Sequence, residues 1–175
     1  MMSIVYVFWM YVILFGVIGW LRGWVKELIV AFSVITALAA NAILRQYLPI
    51  ISNLDIKSPE LFWIRASVVV ALTFFGYQTV SVVPHLASKA TRERLVEALF
   101  GMVLGAVNGY LIAGTLLFYI DQAGYPFKDV ISAPAGNLVS AVQSMMAYMP
   151  PRWLGIPWVY IAPILCLIFI LVVYI

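Results

Sequence analysis

The 175 residues are 65% hydrophobic and 10% charged, with a mean hydropathy of +1.07, which excludes an ordinary soluble domain and places the chain in a lipid bilayer. The formal net charge is +3. The ten Lys and Arg residues lie at the ends of apolar runs, a pattern that sets membrane orientation and argues against nucleic acid as a partner.

The predicted fold is all-α: an integral membrane helical bundle with four core transmembrane helices, a C-terminal fifth and short interfacial helices. A helix needs about 20 apolar residues to cross a hydrocarbon core roughly 30 Å thick. Five apolar runs approach this length: Ser3–Leu21, Leu28–Leu44, Leu61–Val83, Ala98–Ile120 and Trp158–Ile175. We therefore expect a membrane core over 1–120, a proline-rich connection over 121–157 and a C-terminal transmembrane helix over 158–175.

The first run carries no charge ahead of it and is longer than the apolar part of a secretory signal, so a retained helix is predicted. The stretch GWLRGWVKE, residues 19–27, covers the end of this run and the charged residues that follow it. This stretch is predicted to be the turn at the cytoplasmic end of a tight antiparallel hairpin between the first two spans.

Charge is concentrated in that turn. Arg22 and Lys26 are four residues apart, as are Gly23 and Glu27, which predicts two neighbouring rows of opposite charge on a helix. Glu27 is expected to be the counter-charge of Arg22, of Lys26 or of the basic residues 92–94. As an exposed ion pair it would contribute about 0–1 kcal/mol. A binding site for a lipid headgroup or a partner is the alternative interpretation.

The third span contains one charge, Arg65, which is predicted to extend along the helix to the membrane interface. Pro84 ends this span, and residues 84–97 are predicted to form a short amphipathic surface helix. His85 is the one histidine, and no second ligand lies near it at metal-binding spacing. We expect a hydrogen-bonded imidazole at the interface; an axial ligand of a haem or chlorin is the alternative. No resident cofactor or metal is expected.

The fourth span begins with GMVLGAVNG, in which Gly101, Gly105 and Gly109 recur every four residues. Residues at this spacing share a helix face, so the glycines predict a groove in which another helix backbone approaches closely. Asn108 lies at the edge of that face and is expected to form an interhelical hydrogen bond of about 0.6–2 kcal/mol. A seam with span one or two is the first expectation, and a seam with a second copy or a partner is the alternative.

The connection 121–157 contains one periodic piece. Leu138, Val142, Met145 and Met149 fall on one helical face, which predicts a helix lying along the interface. Its methionine stripe is expected to serve ordinary packing, with partner docking as the alternative.

Two motifs resemble those of the colicin V production protein family of small multi-pass bacterial membrane proteins. Gly19, Arg22, Gly23, Lys26 and Glu27 match a G-x-x-R-G-x-x-K/R-E signature, and the glycine ladder of the fourth span follows a basic segment in the order typical of that family. The resemblance covers roughly residues 3–120. The family usually carries a basic residue where Asn108 stands, and four helices rather than five. It is linked to toxin production and envelope homeostasis, with no agreed biochemical activity.

Basic residues also predict orientation. Arg22, Lys26, Lys89, Arg92 and Arg94 crowd the first and third connections, which places those connections in the cytoplasm. The expected location is the bacterial inner membrane, with the N-terminus outside and the C-terminus cytoplasmic.

We expect no enzyme, because the sequence offers no catalytic constellation. The predicted function is that of a non-catalytic accessory or scaffold subunit. Its partners would be the lipid bilayer and other membrane subunits, within a larger respiratory or photosynthetic complex, or a second copy of the chain. A small oligomeric channel or transporter is the alternative, to be tested by solute flux with Asn108 or Gln78 replaced.

Overall fold

The computed structural model describes residues 4–82, 94–126, 131, 133–136 and 138–174, without the side chains of residues 79–82, 94, 173 and 174. The helices in chain order are α1 Ile4–Arg22, α2 Trp24–Tyr47, α3 Pro49–Ser52, α4 Pro59–Val82, α5 Arg94–Gln122, α6 Leu138–Ala147, α7 Pro150–Trp153 and α8 Trp158–Tyr174. No strand occurs in the described parts of the chain. The predicted all-α membrane bundle is confirmed.

Four helices are long and apolar enough to cross a membrane, namely α1, α2, α4 over residues 59–78 and α5 over residues 95–122. The helix α8 is also apolar but has 17 residues, a length of about 25 Å at 1.5 Å per residue. Residues 84–93 of the predicted surface helix, with His85, Lys89 and Arg92, lie outside the described residues, and its last four residues, 94–97, form the first turn of α5.

The junction between α1 and α2 is one residue long. Gly23 separates the helices with φ 84° and ψ 156°, and its amide nitrogen donates to the Gly19 carbonyl oxygen at 2.9 Å. Such backbone angles are essentially restricted to glycine. Because this break puts Arg22 on α1 and Lys26 on α2, the prediction that the two share a helical row is wrong.

The main neighbour of α1 is α5, not α2, so the predicted hairpin packing of spans one and two is also wrong. The reason is the glycine ladder. A Cβ built on Gly105 would press on the Phe15 carbonyl oxygen and lie 2.8 Å from the Gly19 Cα, and one on Gly109 would lie 3.0 Å from the Tyr11 carbonyl oxygen. The two backbones approach this closely because side chains are missing on both, the usual basis of helix association in lipid.

The interior of the bundle lies between α2, α4 and α5. Val30 and Val34 of α2 pack there with Leu111 of α5, all fully or almost fully buried. Gly76 allows α4 to cross α2 closely, because a Cβ at this position would overlap the Ser33 side chain. The core thus rests on α2 as its central helix.

The segment after α5 folds back against the bundle. Val142, Met146 and Met149 are buried in the main core cluster, and Met149 packs over Gly114 of α5. Leu138 is 44% exposed, so the buried face is rotated from the predicted one. The methionines serve intramolecular packing. Beyond them, the start of α8 packs on α2, where Val159 joins a buried cluster with Leu38 and Ala39.

Candidate functional site

Two polar clusters lie inside the bundle, near its opposite ends. The first begins with Arg22 at the end of α1 and Glu27 in the first turn of α2. The Arg22 Nη1 atom lies 3.0 Å from the Glu27 Oε1 atom. The Glu27 side chain is fully buried and that of Arg22 is 22% exposed, so the expectation of an exposed pair at the membrane rim is wrong. The physical reason is that Gly23 turns α2 inward, which places its first turn under α5.

Asn108 of α5 donates a hydrogen bond to the second oxygen of this carboxylate. Its Nδ2 atom donates to the Glu27 Oε2 atom at 2.8 Å and to the Glu27 backbone oxygen at 2.9 Å. Asn108 is itself fully buried. Each carboxylate oxygen therefore receives a donor, and the hydrogen bonds tie α1, α2 and α5 together.

Tyr77 of α4 closes the cluster on its remaining side. The Arg22 guanidinium carbon lies 4.3 Å from the centre of the Tyr77 ring, and Arg22 Nη2 donates to the Tyr77 backbone oxygen at 3.4 Å. A cation over an aromatic face is stabilised by the ring quadrupole. The four helices of the core thus meet at one ion pair.

The other residues predicted for this region have different positions. Lys26 takes no part in the cluster of described side chains around Glu27. Gly23 lies under the side chain of Glu97, whose Oε1 would be 2.7 Å from a Cβ built there, and next to Gly101 of the glycine ladder. These two glycines permit close packing between the helices.

The second cluster surrounds Arg65, six residues into α4. Its Nη1 atom donates to the Gln122 Oε1 atom at 2.9 Å, and its guanidinium carbon lies 4.8 Å from the centre of the Tyr119 ring. Asn41 of α2 donates to the Arg65 backbone oxygen at 3.2 Å. Arg65 therefore points into the bundle, and the prediction that it extends to the lipid interface is wrong. The aromatic ring and two amides offer it a better environment than hydrocarbon.

This cluster lines an open cleft of about 400 Å³ between α2, α4, α5 and the start of α8. The polar side chains of its wall are Asn41, Arg65, Tyr119, Gln122 and Arg152. The rest of the wall is largely apolar, with Leu38, Phe118 and Val159 among its members. A cleft with two guanidinium groups and an apolar flank can receive an amphiphilic anion.

The sequence interpretation missed Asn41, Tyr77 and Gln122. Asn41 stands inside an otherwise apolar run, and an amide in that position is costly unless it is hydrogen-bonded, which is a usable signal. Tyr77 and Gln122 give no such signal, because aromatic and amide residues are common near the ends of membrane spans. His85 lies outside the described residues, and the described residues contain no group of three His, Cys, Asp or Glu side chains that could hold a metal ion.

Comparison with known proteins agrees with the motifs. Residues 4–133 match the family model described as colicin V production protein, so the match extends from α1 through α5 and ends before α6. No curated protein and no solved structure gives a significant match. The matched region contains the Arg22–Glu27 pair, Asn108 and the glycine seam. The chain is a membrane protein that belongs to the colicin V production protein family.

Proposed function

We propose that this protein is a non-catalytic accessory subunit that binds the transmembrane helix of another protein in the bacterial inner membrane, with its N-terminus outside and its C-terminus in the cytoplasm. One surface feature supports this proposal. An apolar groove of about 570 Å³ runs along the seam of α1 and α5 on the side that faces away from the core.

The groove has the chemistry of a helix-packing surface. Gly16 and Ala106 form its floor, and the large residues Trp9, Met102 and Val103 stand at its sides. Small residues on a membrane helix let a second backbone approach, and close packing supplies the stabilisation that burial alone does not supply in lipid. The groove is separate from the glycine ladder, which α1 already covers.

Site-specific photo-crosslinking in cells tests this function. A photoreactive amino acid at Val103, 56% exposed beside the groove, is expected to form a discrete crosslink to one membrane protein. The same amino acid at Val70 of α4, 55% exposed but away from the groove, is the matched control and is expected to label lipid.

If the partner helix lies in the groove, filling the groove should prevent the crosslink from Val103. The substitution Ala106→Leu fills the floor and should abolish the protein crosslink from Val103 while the protein stays folded. A crosslink to a second copy of the chain would assign the groove to a homo-oligomer. Lipid labelling alone from both positions would contradict an accessory role through this surface.

A channel or transporter is the second candidate, favoured by the polar interior of the bundle. Asn41, Thr73, Asn108 and Thr115 are buried on α2, α4 and α5, and each has a side-chain oxygen without a hydrogen bond of good geometry. Buried polar atoms in that state are rare and call for water or a passing solute. Asn108→Leu should then change solute or proton flux into liposomes that contain the purified protein. Equal flux in protein-free, wild-type and variant liposomes would contradict this candidate.

A further inference from the structure

The cleft around Arg65 contains a cation that lacks a matching anion. Arg65 contacts a neutral amide, Gln122, and the face of Tyr119, and no described carboxylate lies within ion-pairing distance of its guanidinium. Its Nε atom is buried and donates no hydrogen bond. An ionisable side chain inside a membrane span is costly, so one without a counter-charge among the described side chains indicates a binding function.

A buried acceptor lies beside this donor. Asn41 is 4% exposed and lines the same cleft, and its Oδ1 atom accepts no hydrogen bond of good geometry, although the Tyr119 hydroxyl is near enough to interact with it. Its amide nitrogen is already used on the Arg65 backbone oxygen. The cleft therefore offers donors for an anion and, close to them, one acceptor for a hydroxyl group.

The charge around the cleft is positive. Arg152 of α7 lies on its wall, and Arg45 in the last turn of α2 is close enough to raise the positive potential at Arg65. Asp121, the acid next to Gln122 in the chain, lines the adjoining cleft and accepts a hydrogen bond from the Tyr125 hydroxyl at 2.9 Å. A ligand with a net positive or zero charge would gain little here.

The depth of the cleft further restricts the chemical class of the ligand. Arg65 and Asn41 each lie six residues from the end of their helix, which is about 9 Å along the helix axis. This depth and the apolar wall of Leu38 and Val159 suit a group that joins a phosphate to acyl chains. Basic pockets between transmembrane helices are known to hold anionic lipid headgroups.

We infer that this cleft is a binding site for a phosphate ester that bears a free hydroxyl group, with Arg65 and Arg152 on the phosphate and Asn41 on the hydroxyl. The ligand is a headgroup of an anionic phospholipid or a soluble sugar or glycerol phosphate of the same chemistry. The inference does not rest on the proposed accessory function, because the groove of α1 and α5 lies elsewhere on the molecule.

Native mass spectrometry of the delipidated full-length protein tests the site. The probes are phosphatidylglycerol, which has a phosphodiester and two hydroxyl groups, and phosphatidylethanolamine, which replaces the hydroxyls with an ammonium group. Wild type should bind phosphatidylglycerol at least ten-fold more tightly than phosphatidylethanolamine. Arg65→Gln should remove this preference, and Lys57→Gln, which deletes an exposed charge of the α3–α4 connection at the same end of the molecule, should retain it.

A second variant keeps the test decisive if Arg65→Gln does not fold. Arg152→Gln alters the rim of the cleft and should weaken phosphatidylglycerol binding several-fold. Glycerol phosphate is the soluble arm: if it displaces the lipid from wild type but has no effect on Arg152→Gln, the source of the phosphate is soluble. Equal binding of the two lipids together with no binding of glycerol phosphate, or equal losses in Arg152→Gln and Lys57→Gln, would overturn the inference.

Discussion

Asn108 supplies a hydrogen-bond donor to Glu27, whose carboxylate is buried inside the bundle. Asn108→Leu should lower the free energy of unfolding by about 1–3 kcal/mol, because it leaves the Glu27 Oε2 atom buried without its donor. The measurement is denaturant-induced unfolding in detergent micelles.

The matched control for Asn108 is Thr36→Val. The Thr36 hydroxyl donates to the Phe32 carbonyl of its own helix at 2.7 Å, so its loss leaves no charge without a partner and should change stability little. Asn108→Leu should cost less stability in a Glu27→Gln background than in wild type, since the group left without a donor is then neutral. Additive losses in the double variant would argue against the described hydrogen bond.

Gly23 permits the one-residue junction through its backbone angles. Gly23→Ala should destabilise the protein by about 1–3 kcal/mol, because φ 84° with ψ 156° is strained for any residue with a Cβ. Gly155→Ala is the control, since a Cβ there has open space and the residue has no positive φ. Thermal unfolding in detergent compares the two, and similar midpoints would contradict the described junction.

At the scale of elements, the glycines in the seam between α1 and α5 differ in how much space each leaves for an added methyl group. A Cβ on Gly105 meets the backbone of Phe15 and Gly19, which cannot move aside without separating the helices, whereas a Cβ on Gly16 lies 3.6 Å from Ala106 at ordinary contact distance. Gly105→Ala should therefore cost about 1–3 kcal/mol of stability, and Gly16→Ala should cost little. Equal unfolding midpoints would show that the two helices do not cross at Gly105.

The sequence predicted the positions of the membrane helices but not which helices pack against each other. Composition and apolar run length located the membrane helices, because the bilayer imposes both on any spanning segment. The four-residue glycine spacing predicted close packing but could not name the partner helix, since α1 and α2 are both long enough to fill the groove. The inward direction of Arg65 depends on Tyr119 and Gln122, more than fifty residues away in the chain, and no local pattern contains that information.

At the scale of the whole molecule, the bundle has two ends, and the distribution of basic residues predicts which side of the membrane each end faces. The end formed by the α1–α2 junction and the start of α5 is predicted to be cytoplasmic, and the end with the α2–α4 connection is predicted to be outside.

Single-cysteine labelling in a Cys166→Ala background tests this orientation. Asn53→Cys, in the exposed connection after α3, should react with a membrane-impermeant maleimide on intact spheroplasts. Leu95→Cys, 72% exposed in the first turn of α5, should react only after the membrane is permeabilised. The reverse pattern would invert the molecule and place the Arg65 cleft in the cytoplasmic leaflet, where a soluble phosphate ester would reach it from the cytoplasm.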